Sequence, residues 1–534
     1  MIKNPLYVYG DKETLKVPAH LNYGRHILDK FKTFKQAVAI INAESGEKIT
    51  YKEIVQKAVD IALSLARIGV RKGQVVNVCS EKRMEFIPTV LGAICAGATY
   101  ASSDVSCRNA SFLYRINLSK PTVVFCSPTA YEDHRQSIKS VKSIEHIIIY
   151  GDKGIDNAMS FKEFLTVHAD IEEFLAADVN GWEDVAIILQ SSGTTGLPKG
   201  IKLTHLNLLL FLSDTGEKKE QRCGEVKTLI TREWYHSYGF GHTIYAMYEG
   251  TTVVYCPRSE VKCFLEAIQK YKIQVMQLTP ATVIDLVKST ILSEYDVSSL
   301  AYMVSTSTYF NAELVNAIRA RFPNLQAAHQ YYGMSEAGCV CSDILAPKGP
   351  KVGSVGCAGS GFTLKVVDLF TRKPLGPNQR GEICFKSSSL MLGYVGDDPV
   401  DYLDDEGFFK TGDIGYYDED RYFYIVDRMK ELIKFNSYQV APAELEAVLM
   451  QHPGVANAGV AGAPDPECGE LPTAFVVLRA GYEITPDELV RYVDEQVSHR
   501  MRLAGGVRIV DSLPMVPSGK LDRKLLKKIL TESK

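Results

Sequence analysis

Six short runs of apolar, largely β-branched residues punctuate the chain: Val75–Cys79, Thr122–Cys126, His146–Tyr150, Val185–Leu189, Thr251–Cys256 and Ile273–Leu278. Their apolar positions are mostly consecutive rather than alternate, which predicts buried strands. Segments of helical period lie between them. The clearest begins at Thr50, where Glu53 completes a capping box, and its periodicity stops at Gly69. The uncharged stretch Thr89–Ser102 is shorter than the roughly 20 residues a membrane-spanning helix needs, and it reads as a buried helix. Alternation of strand and helix implies α/β layers around parallel sheets.

From about Gly353 the texture changes to short strand-like runs with turn residues, as in PLGPNQRGEICF, which predicts a smaller β-rich subdomain reaching about Val426. A charged segment opens at Asp427 and Arg428. Beyond it comes an α+β pattern: a helix start at Pro442, a stop at His452-Pro453-Gly454, a strand Ala474–Leu478 and a helix Thr485–His499. In that last helix Thr485 is the N-cap, Pro486 takes the first position, Glu488 closes the box, and Leu489, Tyr492, Val493 and Val497 share one face. The expected organisation is a large N-terminal α/β domain, residues 1–426 with a β-rich part at about 353–426, and a small α+β domain, residues 427–534.

Composition narrows the function classes. With 60 Lys and Arg against 63 Asp and Glu, the net charge of −3 gives no global field for nucleic acid or an anionic membrane. The 12 cysteines are scattered without a CxxC pair, which suits reduced intracellular thiols and offers no structural zinc site. The start, MIKNPLYVYGDKE, has no apolar signal core, so secretion is not expected.

The most informative segment follows the strand Val185–Leu189. It reads Ser191-Ser192-Gly193-Thr194-Thr195-Gly196-Leu197-Pro198-Lys199-Gly200. Glycines let backbone N–H groups face an anion, hydroxyls add donors, and Lys199 adds a compact positive charge, so the segment reads as a phosphate loop. It is not a P-loop, because Pro198 and Gly200 flank the lysine where the Walker pattern needs Gly-Lys-Ser/Thr opening a helix.

Together with Tyr332-Gly333-Met334-Ser335-Glu336, Thr411-Gly412-Asp413, Val426-Asp427-Arg428-Met429-Lys430, Leu432-Ile433-Lys434 and Pro517-Ser518-Gly519-Lys520, this loop resembles the adenylate-forming (ANL) superfamily. The wording of IVDRMKELIK and YQVAPAELEAVL is most similar to its luciferase and 4-coumarate-CoA ligase branch. The resemblance implies ATP, Mg2+ and CoA as cofactors or co-substrates. It implies that Ser191, Ser192, Gly193, Thr194, Thr195, Gly196, Lys199, Tyr332, Gly333, Ser335, Asp413 and Arg428 bind ATP or AMP, with Asp413 on the ribose hydroxyls and Glu336 on magnesium. Lys520 would reach the α-phosphate and the acid, and Asp427 with Arg428 would form the hinge of a mobile C-terminal domain. Lys434 would serve the second half-reaction, and His236 would stand near the acyl carboxylate.

Three departures from the resemblance bear on substrate choice. Val304-Ser305-Thr306-Ser307-Thr308-Tyr309 replaces a Gly-rich turn of the acyl pocket, Asn436-Ser437 stands where a glycine usually precedes the tyrosine, and Phe211 replaces an arginine that beetle luciferases place near luciferin. Two readings stay open: a fatty or aromatic acid-CoA ligase, and an insect-type luciferase, a monooxygenase that oxidises its adenylate with O2 to emit light. The partners expected are small molecules, namely the carboxylic acid, ATP and CoA, with no nucleic acid, transmembrane segment or obligate protein partner. The end, Glu532-Ser533-Lys534, is one leucine short of a peroxisomal address, so a cytoplasmic location is expected, or a peroxisomal one if a final Leu is missing.

Overall fold

The computed structural model describes residues 4–10, 18–107, 109–190, 198–213, 223–306, 312–396, 402–436, 438–497, 501–516 and 521–532; of 109, 110, 213, 280, 281, 306, 312, 313, 438 and 439 it describes the backbone alone. The chain forms two compact units: residues 9–363 with 386–403, and residues 1–8, 364–385 and 404–534.

All six apolar runs are strands, placed to within two residues of expectation. In the larger unit, Val185–Gln190, Thr99–Ser102, Val75–Cys79, Val123–Cys126 and His146–Ile149 run parallel in an eight-stranded sheet, which Gly200–Thr204 and Gly393–Tyr394 extend by antiparallel pairing. A nine-stranded sheet contains Val38–Asn42, Thr252–Tyr255, Lys227–Ile230, Val275–Leu278, Tyr302–Thr306 and Ala327–Met334, all parallel, before Gly338–Ser342 turns back. Parallel neighbours need crossovers, and helices supply most of them, covering the faces. Val76, Val78, Val123, Val124, Val253 and Val254 are accordingly buried.

The helix expected from Thr50 is Tyr51–Arg67. The Glu53 N–H donates to Thr50 Oγ1 and the Thr50 N–H donates to Glu53 Oε2, so two otherwise orphaned donors are satisfied. The stretch Thr89–Ser102 corrects the reading of a single buried helix. Helix Phe86–Cys95 ends there and strand Thr99–Ser102 begins. Gly97 at φ 78° makes the break: its N–H donates to Ile94 O and the Ala98 N–H to Ala93 O, each at 3.0 Å, capping the helix in a left-handed turn.

The smaller unit contains a five-stranded sheet in the order Val8–Tyr9, Thr363–Val367, Gly381–Lys386, Phe409–Tyr417 and Phe423–Arg428. A second sheet pairs Tyr438–Val440, Ile433–Phe435, Gly469–Leu478 and Val455–Asp465, with Val507–Ile509 beside Gly469–Leu478. Helices Pro442–Gln451 and Pro486–Asp494 bury Leu445, Leu449, Leu489 and Val493 in a core with Val460 and Val476. The last of these is shorter than Thr485–His499. It ends in a turn where the Gln496 N–H returns to Val493 O, although Tyr492 and Val497 still pack on the core; 498–500 lie outside the described residues. Among the described residues no helix is long and apolar enough to cross a membrane.

Gly92 lies where helix Phe86–Cys95 crosses helix Tyr51–Arg67. A methyl there would stand 2.7 Å from the Ala58 carbonyl oxygen and from Ile61 Cγ2. Gly92→Ala should therefore lose about 1–3 kcal/mol of stability by overpacking, read as a lower urea midpoint at unchanged slope. A midpoint equal to wild type would show that the two helices part freely.

Candidate functional site

In the larger unit the described motif residues lie at, or just beyond, the carboxyl ends of strands, the edge where open α/β sheets bind ligands. Strand Val185–Gln190 runs into the phosphate loop, of which Ser191, Ser192, Gly193, Thr194, Thr195 and Gly196 lie outside the described residues. Lys199 follows, with its Nζ 4.6 Å from the centre of the Tyr394 ring. The Tyr394 hydroxyl donates to Glu336 Oε1 at 2.8 Å, and the Met391 N–H donates to the Glu336 carbonyl at 2.7 Å.

Glu336 belongs to a hairpin between strands Ala327–Met334 and Gly338–Ser342, which carries Tyr332 and Gly333 in its first arm. A methyl at Gly333 would run into the Gly338 carbonyl, so this tight pairing requires glycine. Ser335 Oγ lies 2.7 Å from Ser237 Oγ, in hydrogen-bond contact. Ser237 opens helix Ser237–Tyr248, whose N-cap is His236. Lys199, Glu336, Ser335 and the turn bearing His236 are thus joined by contacts through Tyr394 and Ser237.

The His236 turn is held from below. The His236 N–H donates to the Glu233 carbonyl at 3.2 Å, and the Glu233 carboxylate lies 3.2 Å from the fully buried Nζ of Lys82, on the loop after strand Val75–Cys79. Burial and the positive charge of Arg232 push the His236 imidazole down to about 4, with Asp104 pulling the other way and Arg115 adding a small push, so the ring is neutral near pH 7. Arg115 donates to Gln190 Oε1 at 3.2 Å, on the residue that precedes Ser191 in the chain. Tyr394, Lys82, Glu233, Asp104, Arg115 and Arg232 were not singled out from the sequence. Their only signal was position: Tyr394, Lys82, Asp104, Arg232 and Glu233 stand at, or a few residues past, the end of a strand, and Arg115 lies within helix Asn109–Ser119.

In the smaller unit Asp413 pairs across the sheet with Arg428, and Arg428 Nε lies 2.8 Å from Asp413 Oδ1. The Asp413 turn is fixed by its own N–H donating to Thr411 Oγ1 and by the Gly412 N–H donating to Glu382 Oε1, whose other oxygen is 2.6 Å from Arg372. Asp427 is buried and accepts from the N–H groups of Arg428 and Ala443 at 2.7 and 2.9 Å. Lys434 projects to solvent from strand Ile433–Phe435, whose other two residues are buried. Lys520 lies outside the described residues.

The departures also take physical form. Val304 and Ser305 are buried in strand Tyr302–Thr306, while Ser307, Thr308 and Tyr309 lie outside the described residues. Asn436 is left-handed at φ 48°, a conformation asparagine tolerates, and Ser437 lies outside the described residues. The Phe211 ring packs on the Glu336 hairpin so closely that a Cβ at Gly338 would stand 2.5 Å from it.

A family model for AMP-binding enzymes matches residues 28–395, and the model for the AMP-binding enzyme C-terminal domain matches residues 444–520. The chain belongs to the AMP-binding enzyme family. It is 36% identical over 509 residues to luciferin 4-monooxygenase of Nipponoluciola cruciata, covering 92% of this chain and 91% of that protein. It is 32% identical over 523 residues to 4-coumarate-CoA ligase 1 of Narcissus pseudonarcissus, covering 96% and 94%. ATP-bound MatB from Rhodopseudomonas palustris shares the fold with a TM-score of 0.85 at 26% identity, covering 97% of this chain and all of that one.

Enzymes of this family use ATP with magnesium, and the donor set here fits that ion. Among the described residues no cluster of three His, Cys, Asp or Glu side chains stands ready to cage a metal. Magnesium bound to a nucleotide needs no such cage, because one carboxylate, phosphate oxygens and waters complete its octahedron. Glu336 supplies a carboxylate fixed by Tyr394.

His236, His205 and His242 are each shifted from 6.5 to about 4, mainly by burial. A depressed histidine contributes stability above pH 6.5, and that contribution is lost as pH falls through the folded value. The melting temperature should therefore fall as pH is lowered from 6.5 toward 4, with a shallower slope in His236→Gln. Parallel slopes in the two proteins would contradict a neutral, enclosed His236.

Proposed function

We propose that this chain activates a fatty or aromatic carboxylic acid with ATP and passes the acyl group to CoA. In the first half-reaction a carboxylate oxygen attacks the α-phosphorus of ATP, the bond to pyrophosphate breaks, and acyl-AMP remains. In the second the CoA thiolate attacks the acyl carbon, AMP leaves, and the thiol proton is released to solvent. The observation that carries this reading is the contact series from Lys199 through Tyr394 to Glu336, with Ser335 joined to Ser237 beside His236, at the carboxyl ends of the parallel strands.

The chemistry assigns work to each group. Two anions must meet while charge builds on the departing pyrophosphate, so cations have to surround the phosphates. Lys199 and the phosphate loop hold the β- and γ-phosphates. Glu336 would hold magnesium, which neutralises phosphate charge when bound. Asp413, acceptor-only when ionised, takes the two ribose hydroxyls. Neutral His236 can accept a hydrogen bond near the acid without adding charge. Lys520 stabilises the forming acyl-AMP, and Asp427 with Arg428 is the pivot that exchanges Lys520 for Lys434 between half-reactions.

A second reading is supported by the 36% identity to luciferin 4-monooxygenase. There the adenylate loses an α-proton, O2 adds to that carbon, the resulting peroxide closes on the acyl carbon and expels AMP, and cleavage of its O–O and C–C bonds releases CO2 and leaves an excited carbonyl that emits light. The apolar Phe211 ring against the Glu336 hairpin favours the ligase, since it puts a hydrocarbon where beetle luciferases place an arginine.

The test is a panel of fatty and aromatic acids with ATP, scored for pyrophosphate release with and without CoA while photons are counted. Thioester in darkness is expected; light without CoA would replace the ligase reading by the luciferase one. Lys520→Ala should slow pyrophosphate exchange by about 100-fold or more, and exchange at the wild-type rate would remove its assignment. Lys434→Ala should spare exchange and slow thioester formation from preformed acyl-AMP; equal loss in both steps would contradict the pivot.

A further inference from the structure

One guanidinium in the smaller unit connects two segments that otherwise belong to different elements. Arg523 is the first residue of helix Arg523–Glu532, and its side chain is largely buried. Its Nη2 lies 2.6 Å from Glu446 Oε2 and its Nη1 3.3 Å from Glu431 Oε2. Glu446, on helix Pro442–Gln451, uses its other oxygen to accept the Val460 N–H at 2.7 Å. The same helix donates its Ala443 N–H to Asp427, and the Glu431 N–H donates to the Arg428 carbonyl at 2.9 Å. One face of Arg523 thus meets the segment Asp427–Glu431 and the helix that grips it.

The other side of Arg523 leads to the stretch before it. The Asp522 N–H donates to the Pro514 carbonyl at 2.9 Å, and Met515 bridges Leu521 in antiparallel fashion. The base of the stretch that contains Lys520 is therefore closed one residue before Arg523. Three carboxylates, Glu446, Glu431 and Asp427, act on this one guanidinium, yet its Nε is buried without a partner among the described residues. Apolar side chains of similar volume often stabilise a fold as well as a buried ion network does, so stability is a weak reason for this arrangement. A planar fork that meets two carboxylates at fixed angles is suited to setting the register of the two segments.

We propose that Arg523 is a positioning residue for adenylation: by holding Glu446 and Glu431 at once, it fixes the base of the Lys520 stretch against the Asp427–Glu431 segment. The inference rests on the reading that Lys520 serves acyl-AMP formation. Arg523→Met, tested in the full chain with an acid accepted by wild type, should lower kcat of pyrophosphate exchange by about 10- to 100-fold through misplacement alone. KM for ATP should change far less, and Arg523→Lys should recover part of the loss. In the Lys520→Ala background Arg523→Met should add no further loss, because the group it positions is gone.

Losses that multiply in the double variant would mark Arg523 as merely structural and overturn the proposal, as would exchange at the wild-type rate in folded Arg523→Met. If Arg523→Met fails to fold, Glu431→Gln severs one arm only: a smaller loss confined to exchange supports the proposal, and unchanged exchange overturns it. Wild-type protein that exchanges pyrophosphate with no acid removes the reading beneath it, whereas active wild type with unaffected variants removes this inference alone.

Discussion

Loops cannot hold charged side chains in register by themselves, and every candidate group of the larger unit stands on a loop, a hairpin or a helix start. The constraint that makes them a site is the buried contact of Lys82 with Glu233. Lys82 leaves the eight-stranded sheet and Glu233 the nine-stranded one, each beyond the carboxyl end of a parallel strand. A lysine with no exposed side-chain surface has to meet an anion, and the only way for these residues to meet is for the two strand-end edges to converge. The Glu233 carbonyl then sets the His236 turn, Ser237 meets Ser335, and the Glu336 hairpin falls beside Tyr394.

Much of the fold was legible because its signals are local. Consecutive β-branched residues mark strands buried on both faces, and the pairs Thr50 with Glu53 and Thr485 with Glu488 mark helix starts through bonds made within one turn. The stretch Thr89–Ser102 was not legible, because helix and strand there share one apolar composition. Gly92 and Gly97 look alike in sequence, yet Gly92 is packed inside a helix and Gly97 ends it; packing against Ala58 and Ile61 and a positive φ make the difference.

The site was legible to the extent that its residues belong to contiguous motifs. Glu336, Asp413 and His236 could be named because their neighbours in sequence identify them. Tyr394, Lys82, Arg115 and Arg523 could not, because their meaning lies in partners far away along the chain, and an isolated lysine or arginine reads as a solvated surface group. Arg428 shows the intermediate case: the motif pointed to it, but only the cross-strand register reveals that its charge rests on Asp413. The Asp413 carboxylate is therefore already oriented by a cation.

The smaller unit draws on three separate pieces of the chain, residues 1–8, 364–385 and 404–534. On the ribosome its first piece emerges hundreds of residues before its last, so vectorial synthesis leaves the amino-terminal strand without its neighbours while the larger unit is being made. A recombinant fragment beginning at residue 427 would carry the helices and second sheet of this unit but leave behind the five-stranded sheet to which Arg428 belongs. The Asp427–Arg428 segment is thus welded into a body that no single cut of the gene can release intact.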